Sequence, residues 1–213
     1  MQPTDYVTEV HSDWDSVREA EWNGLLGLQE SPTPFMSRAY LKAMHDTGCA
    51  SVDTGWALRL VTLRQQGELM AACPVYLKNH SYGEYVFDWA WAQAYERHGL
   101  DYYPKAVIAV PFTPVPGSRL LARSDEWRHM LLVAALKEAQ RHGVSSLHLL
   151  LGSEQDLASA RQLGWMQRDG VQFHWQNTCV LDFEDLLSQL KQDKRKKIRQ
   201  ERRKVAEAGI TYT

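Results

Sequence analysis

The sequence predicts an α/β fold, a mixed and mostly antiparallel sheet covered by helices. Three observations carry that prediction. Two β-patterned stretches meet at a two-residue turn, Gln66-Gly67. A strongly capped amphipathic helix over 125–142 is followed at once by a short apolar run, 145–151. A first strand and two helices precede the hairpin, so both faces of a sheet can be covered.

In chain order, residues 5–11 (DYVTEVH) alternate apolar and polar and predict a strand. A helix is expected from Asp15 to about Gly24. A second follows Pro32 and Pro34, carries Met36, Tyr40, Leu41 and Met44, and closes at Gly48. The hairpin strands are 56–65 and 68–78. Residues 79–105 (NHSYGEYVFDWAWAQAYERHGLDYYPK) fit neither pattern, holding five Tyr, two Trp, one Phe and two His. A strand at 106–112 leads into the loop TPVPGSRLLAR, 113–123. The 125–142 helix has Ser124 as N-cap, Asp125 and Glu126 at its positive end and Gly143 as its stop. After the strand at 145–151, Ser153 and Asp156 form a capping-box pattern ahead of a helix ending at Gly164. Residues 165–183 predict a pair of strands around Asp169-Gly170, and 184–208 one long polar helix closed by Gly209. A last strand begins at Ile210.

The 213 residues suffice for one full domain with a remainder. The apolar share of 44% and charged share of 23% are those of a globular chain. Three widely spaced cysteines, Cys49, Cys73 and Cys179, give no disulfide framework and no zinc spacing, so no metal is expected and a reducing, cytoplasmic setting is. The N-terminus has neither a basic start nor an apolar stretch, and no apolar run reaches the ~20 residues of a membrane helix. Dinucleotide and P-loop glycine patterns, HExxH and a GxSxG elbow are absent. The eight histidines are scattered; His148, in an apolar strand, reads as structural.

Charge is uneven. Net charge is −2, yet residues 191–204 hold nine Lys or Arg against two acids. Three readings are open for this segment: a solvated helix weakened by its own like charges, an RNA-facing surface, or an element between lobes.

The stretches 34–44, 74–105 and 109–121 resemble the FemAB-like, peptidoglycan-biosynthesis-type group of the GNAT superfamily, a bacterial group. The resemblance extends over most of residues 31–213. Ile198, Arg199, Lys204, Gly209 and Ile210 fit the helix with which such proteins open a second lobe. It implies a first GNAT-like lobe over 1–177 and, over 178–213, the beginning of a second lobe whose remainder would lie in cis. It further implies an acyl- or aminoacyl-transferase acting on an amine, with acyl-CoA or aminoacyl-tRNA as donor and a cell-wall precursor as acceptor. The alternative is a lobe that binds a substrate or RNA without catalysis.

Acyl transfer to an amine needs a base, a seat for the acceptor and an anchor for the donor. Glu84 and Asp88 stand among aromatic residues, where burial would raise their pKa towards general-base use. Tyr82, Trp89, Trp91, Tyr95 and Tyr102 offer stacking faces, and Lys105 a cation for an anionic group; the competing reading is that alternate members of this segment pack the core. The resemblance points to loop 113–123 as the donor's phosphate anchor, through Gly117 and Arg119. Pro114 and Pro116 lack N–H groups, and Asp125 and Glu126 would repel a phosphate, which counts against acyl-CoA there. Arg199, Arg202 and Arg203 are the expected anion or tRNA contacts.

Overall fold

The structure, a computed structural model, describes residues 5–86, 88–177 and 179–211. The chain forms two compact units, residues 1–167 and 168–213; the lobe boundary expected from the sequence lay at 177/178.

The first unit contains strands β1 (Val7–His11), β2 (Ala57–Gln65), β3 (Glu68–Lys78), β4 (Lys105–Ile108), β5 (Leu121–Ala122) and β6 (Leu147–Leu149). Its helices are α1 (Glu19–Gly27), α2 (Arg38–Asp46), α3 (Trp89–Arg97), α4 (Asp125–Arg141) and α5 (Glu154–Gln162). The strands form one sheet in the order β1-β2-β3-β4-β6, with β5 also on β3. All pairings are antiparallel except β4 with β6. This is the mixed, mostly antiparallel, helix-covered sheet that the sequence predicts.

The hairpin forms as read, with Gln66 and Gly67 both at positive φ (51° and 81°). On its far side β3 pairs with β4 through Tyr76–Lys78 and with β5 through Ala71 and Ala72. Pro74, which has no N–H to donate, lies between these two pairings. Each face of the sheet builds a core. Trp14, Trp22, Leu41, Trp56, Leu60, Tyr76 and Val107 cluster on one. On the other, Val61, Leu63, Cys73, Val75, Ile108, Leu131, Leu132 and Ala135 join β2, β3 and β4 to α4. Ser124 caps α4 by accepting from the Trp127 N–H, and the Ser153/Asp156 capping box forms.

Several expectations need correcting. α1 starts at Glu19 rather than Asp15, because the Asp13 carboxylate takes the N–H groups of Asp15 and Ser16 and the Ser16 hydroxyl in a local turn. A nine-residue helix, α3, lies within the aromatic segment. The strand expected over 106–112 is confined to Lys105–Ile108, while Leu121–Ala122, read as loop, pairs with β3.

In the second unit the strand pair expected over 165–183 is absent among the described residues. The side chains of Val171, Phe173 and Trp175 alternate as a strand requires, but they are 81%, 97% and 67% exposed and meet no ladder. The long helix over 184–208 is two helices, α6 (Phe183–Gln189) and α7 (Gln192–Glu207). Leu190 and Lys191 between them are extended, with ψ near 150°. The break falls where the basic run begins, and repulsion at i+3 and i+4 spacing weakens helix propagation across that point. The strand expected from Ile210 falls partly on Tyr212 and Thr213, outside the described residues.

Candidate functional site

The β3–β4 register sets Lys78 directly opposite Lys105. Facing like charges on neighbouring strands are unfavourable, and both residues are at most 1% exposed. The chain resolves this with the segment between them, which folds back and lays two carboxylates against the pair. Lys105 Nζ donates to Glu84 Oε2 at 2.7 Å, to Ser81 Oγ at 2.8 Å and to Asp88 Oδ2. Lys78 Nζ lies 3.4 Å from the centre of the Trp56 ring and donates to the Tyr82 carbonyl at 3.2 Å. Tyr102 donates its hydroxyl proton to Asp88 Oδ2 at 2.7 Å.

The titrations of these groups diverge. Burial raises the Glu84 carboxyl above the usual range despite the Lys105 hydrogen bond. Burial also pushes Asp88 upward, but the hydrogen bonds from Lys105 and Tyr102 outweigh it and hold the group below its ordinary value. Raised basicity, expected of both carboxylates, is thus found at Glu84 alone. Burial lowers Lys78 to about 8, with Lys105 reinforcing the drop and Glu84 opposing it. Tyr102 is pushed up, first by burial and then by Asp88.

Beside this cluster opens a cavity of about 310 Å³ lined by Ser81, Tyr82, Gly83, Tyr85, Val86, Asp88, Trp89 and Phe112. Tyr82, Tyr85 and Trp89 are 67%, 57% and 48% exposed, so their faces are available to a ligand. Tyr85 and Phe112 both sit at φ +56°, a left-handed strain that costs on the order of 1 kcal/mol each. Gly83, at φ +81°, lets the Phe112 ring approach where a Cβ would stand 2.6 Å from it. Two buried oxygens have no hydrogen-bond partner, Glu84 Oε1 and Asp88 Oδ1. Asp88 lines the cavity, and its Oδ1 is a buried acceptor without a hydrogen-bond partner in the chain.

The remaining residues singled out from the sequence fall in different places. Trp91 is exposed on α3; Tyr95 meets Tyr102 edge-on, with ring centres 5.2 Å apart. Lys105 holds anionic groups of the chain itself. Arg119 is 1% exposed, and its guanidinium donates to the carbonyls of Val115, Gly117 and Leu150. Gly117 packs where a Cβ would lie 2.6 Å from the Thr33 methyl. The loop's N–H groups at Arg119 and Leu120 point at the buried Asp156 carboxylate, at 2.7 and 3.3 Å. In the second unit Arg199 pairs with Glu184, Arg202 stacks over Phe183, and Arg203 pairs with Glu207, all on exposed side chains.

Sequence reasoning missed Lys78, Ser81, Phe112 and His148 as neighbours of the site. A signal existed for the first: lysines end one apolar strand and open the next. Among the described residues no group of three or more His, Cys, Asp or Glu is arranged to hold a metal, and no helix is long and apolar enough to cross a membrane.

Solved structures similar to the chain include an aminoglycoside 6'-N-acetyltransferase from Acinetobacter haemolyticus, 11% identical, with 81% of this chain and 99% of that one covered and a TM-score of 0.45. A GCN5-related N-acetyltransferase from Ralstonia eutropha is 12% identical, with 80% and 98% covered and a TM-score of 0.44. An acetyltransferase from Trypanosoma brucei is 14% identical, with 81% and 99% covered and a TM-score of 0.42. No curated protein gives a significant match. The model of the FemAB-like family, described as peptidoglycan biosynthesis/recognition, matches residues 13–213.

Proposed function

We propose that this chain, which belongs to the FemAB-like family, serves acyl transfer to an amine and that the cavity beside Asp88 seats the acceptor. The observation that carries the reading is the buried, unpartnered Oδ1 of Asp88, a residue that lines an aromatic cavity. An ammonium entering there exchanges its hydration for the carboxylate oxygen and the faces of Tyr82, Tyr85 and Trp89. Glu84, held basic by burial, is the group suited to take the proton that the ammonium must lose before nitrogen can attack a carbonyl. The family's description makes a cell-wall precursor the acceptor of choice. The donor is an activated acyl group, acyl-CoA or aminoacyl-tRNA.

The test is transfer of acyl groups by the purified chain to a muropeptide amine, followed by mass spectrometry with each donor in turn. Asp88→Asn is expected to weaken acceptor binding about tenfold or more, the worth of one charge-assisted hydrogen bond. Unchanged acceptor affinity in that variant would remove Asp88 from the site.

A second reading, binding without transfer, draws on loop 113–123. Asp156 already takes the N–H groups of Arg119 and Leu120, and Arg119 is spent on carbonyls. On that reading the first unit seats a substrate while loop 113–123, its N–H groups and guanidinium already used, anchors no donor. Acceptor binding without product from either donor would favour it.

A further inference from the structure

The Tyr102 hydroxyl that reaches Asp88 is itself held from behind. His148, on β6, stands opposite Val107 of β4 in the parallel register. That brings its imidazole to Tyr102, three residues ahead of Lys105. His148 Nε2 is 3.3 Å from the Tyr102 hydroxyl and 2.8 Å from Ser146 Oγ, and the two rings meet edge-on at 6.3 Å.

A tyrosine hydroxyl has one proton, and here it goes to Asp88 Oδ2. The lone pair that remains faces His148, and this link is a hydrogen bond in the tautomer that carries its proton on Nε2, between Tyr102 and Ser146. The imidazole is suited to that task. Burial and then the nearby Lys105 ammonium push its pKa down to about 4, so it stays neutral, with a single N–H, at any ordinary pH. The other charged or titratable groups of the cluster are Asp88, Glu84 and Lys78, with Tyr103 against Ser81 at 2.7 Å.

We propose that His148 is a positioning residue for the acceptor site: it orients the Tyr102 hydroxyl so that this group and Lys105 together occupy Asp88 Oδ2, leaving Oδ1 without a partner in the chain and free for a ligand. The inference rests on the reading of Asp88 as the amine's seat. It assigns a part in the site to a histidine that the sequence reads as structural. A merely structural His148 would support the fold without changing how Asp88 binds protons or ligand.

The experiment follows the Asp88 carboxyl carbon by NMR through a pH titration, in parallel with binding of butylammonium as probe. The full chain is compared with Tyr102→Phe, His148→Ala, His148→Gln and Ser146→Ala. Losing the Tyr102 hydroxyl removes a hydrogen bond to the charged carboxylate and moves the Asp88 midpoint upward. His148→Ala is expected to move it the same way by less and to weaken butylammonium about 3- to 10-fold. His148→Gln, whose amide can donate in place of Nε2–H, restores both readouts. Should His148→Ala fail to fold, the Gln and Ser146→Ala variants carry the test, the latter leaving Nε2–H to Tyr102 alone and the midpoint at or below the native one. An Asp88 midpoint that ignores His148→Ala, or that stays displaced in His148→Gln, overturns the proposal. If the midpoints move as expected while the native chain does not bind butylammonium, the strut stands and the amine-site reading fails.

Discussion

Two buried ionic clusters in the first unit look alike on paper and differ in one respect. Around Lys105, two carboxylates, two ammonium groups, a tyrosine and a serine are drawn together, and two carboxylate oxygens are left without partners, one of them on Asp88, which lines a cavity. Around Asp156, both carboxylate oxygens are taken, by N–H groups of Arg119, Leu120 and Ser153, with Arg128 at 3.5 Å. Arg128 Nε faces Asp156 Oδ1 without making a hydrogen bond. Buried polar groups cost free energy unless satisfied, so a carboxylate with both oxygens taken is explained by the fold alone. An open one beside a cavity is not explained in that way, and an amine seated at Asp88, as proposed, would supply the missing partner. The valence left over, rather than the presence of buried charge, sets the two clusters apart.

The sharpest way to break this comparison is to remove the cation that both carboxylates share. Lys105→Met leaves Glu84 and Asp88 buried without their counter-ion, and a loss of about 3–5 kcal/mol of folding stability is expected in urea denaturation. Adding Glu84→Gln and Asp88→Asn to that variant should return much of the loss, because the charges then vanish together. If Lys105→Met alone unfolds no more easily than the native chain, the cluster is solvated and its open oxygens have no special meaning.

Lys78 offers a second test, through pH. Its folded pKa of about 8 lies below its ordinary 10.5. Between those values the unfolded chain holds the lysine proton and the folded chain has released it. Stability therefore rises with pH across that window, by up to about 1.4 kcal/mol per pH unit or ~3 kcal/mol in all. Coupling to Glu84 trims that figure. The readout is the difference between native chain and Lys78→Met, since other lysines and tyrosines titrate in both. A flat difference from pH 8 to 10.5 would mean that Lys78 is wetter than its 1% exposure implies.

The Asp156 joint should answer differently. Asp156→Asn keeps the shape but loses one acceptor and the charge facing Arg128, an expected cost of about 1–3 kcal/mol. Binding of an amine at the cavity should not change beyond what reduced stability explains. A variant that binds amine poorly while folded would show the two clusters to be coupled.

What the sequence could reveal follows the same division. Caps and turns are local, so Ser124, Ser153 with Asp156 and Gln66-Gly67 were legible from neighbours a few residues away. The gathering of Glu84 and Asp88 with aromatic rings was legible because apolar rings and carboxylates in one segment are unusual, whereas of the rings named only Tyr82 and Trp89 line the cavity. The Lys105 ion pairs, the saturation of Arg119 and the approach of His148 were not legible. The first and last depend on contacts at least 17 residues away, as in Lys105 with Asp88, and Arg119, though it also meets Val115 and Gly117 nearby, is completed by distant Leu150. The same limit explains the failed strands at 165–183: alternation states that a segment suits a ladder, and only tertiary structure supplies the partner.

The smallest expected effect is also the one that best isolates ligand from fold. Trp89 opens α3 and is half-exposed, and its ring meets Tyr82 edge-on at a centroid distance of 6.1 Å. Truncating it removes little buried surface, so Trp89→Ala should change folding stability by no more than ~0.5 kcal/mol. An ammonium at Asp88, by contrast, loses one of its aromatic faces, worth about 0.5–1 kcal/mol at an exposed site. The expected result is therefore a roughly 2- to 5-fold weaker butylammonium affinity at unchanged thermal midpoint, measured by calorimetry on the same sample. Loss of stability without loss of affinity would make Trp89 part of the packing. The wall of the cavity would then belong with the saturated joint at Asp156 rather than with the open site at Asp88.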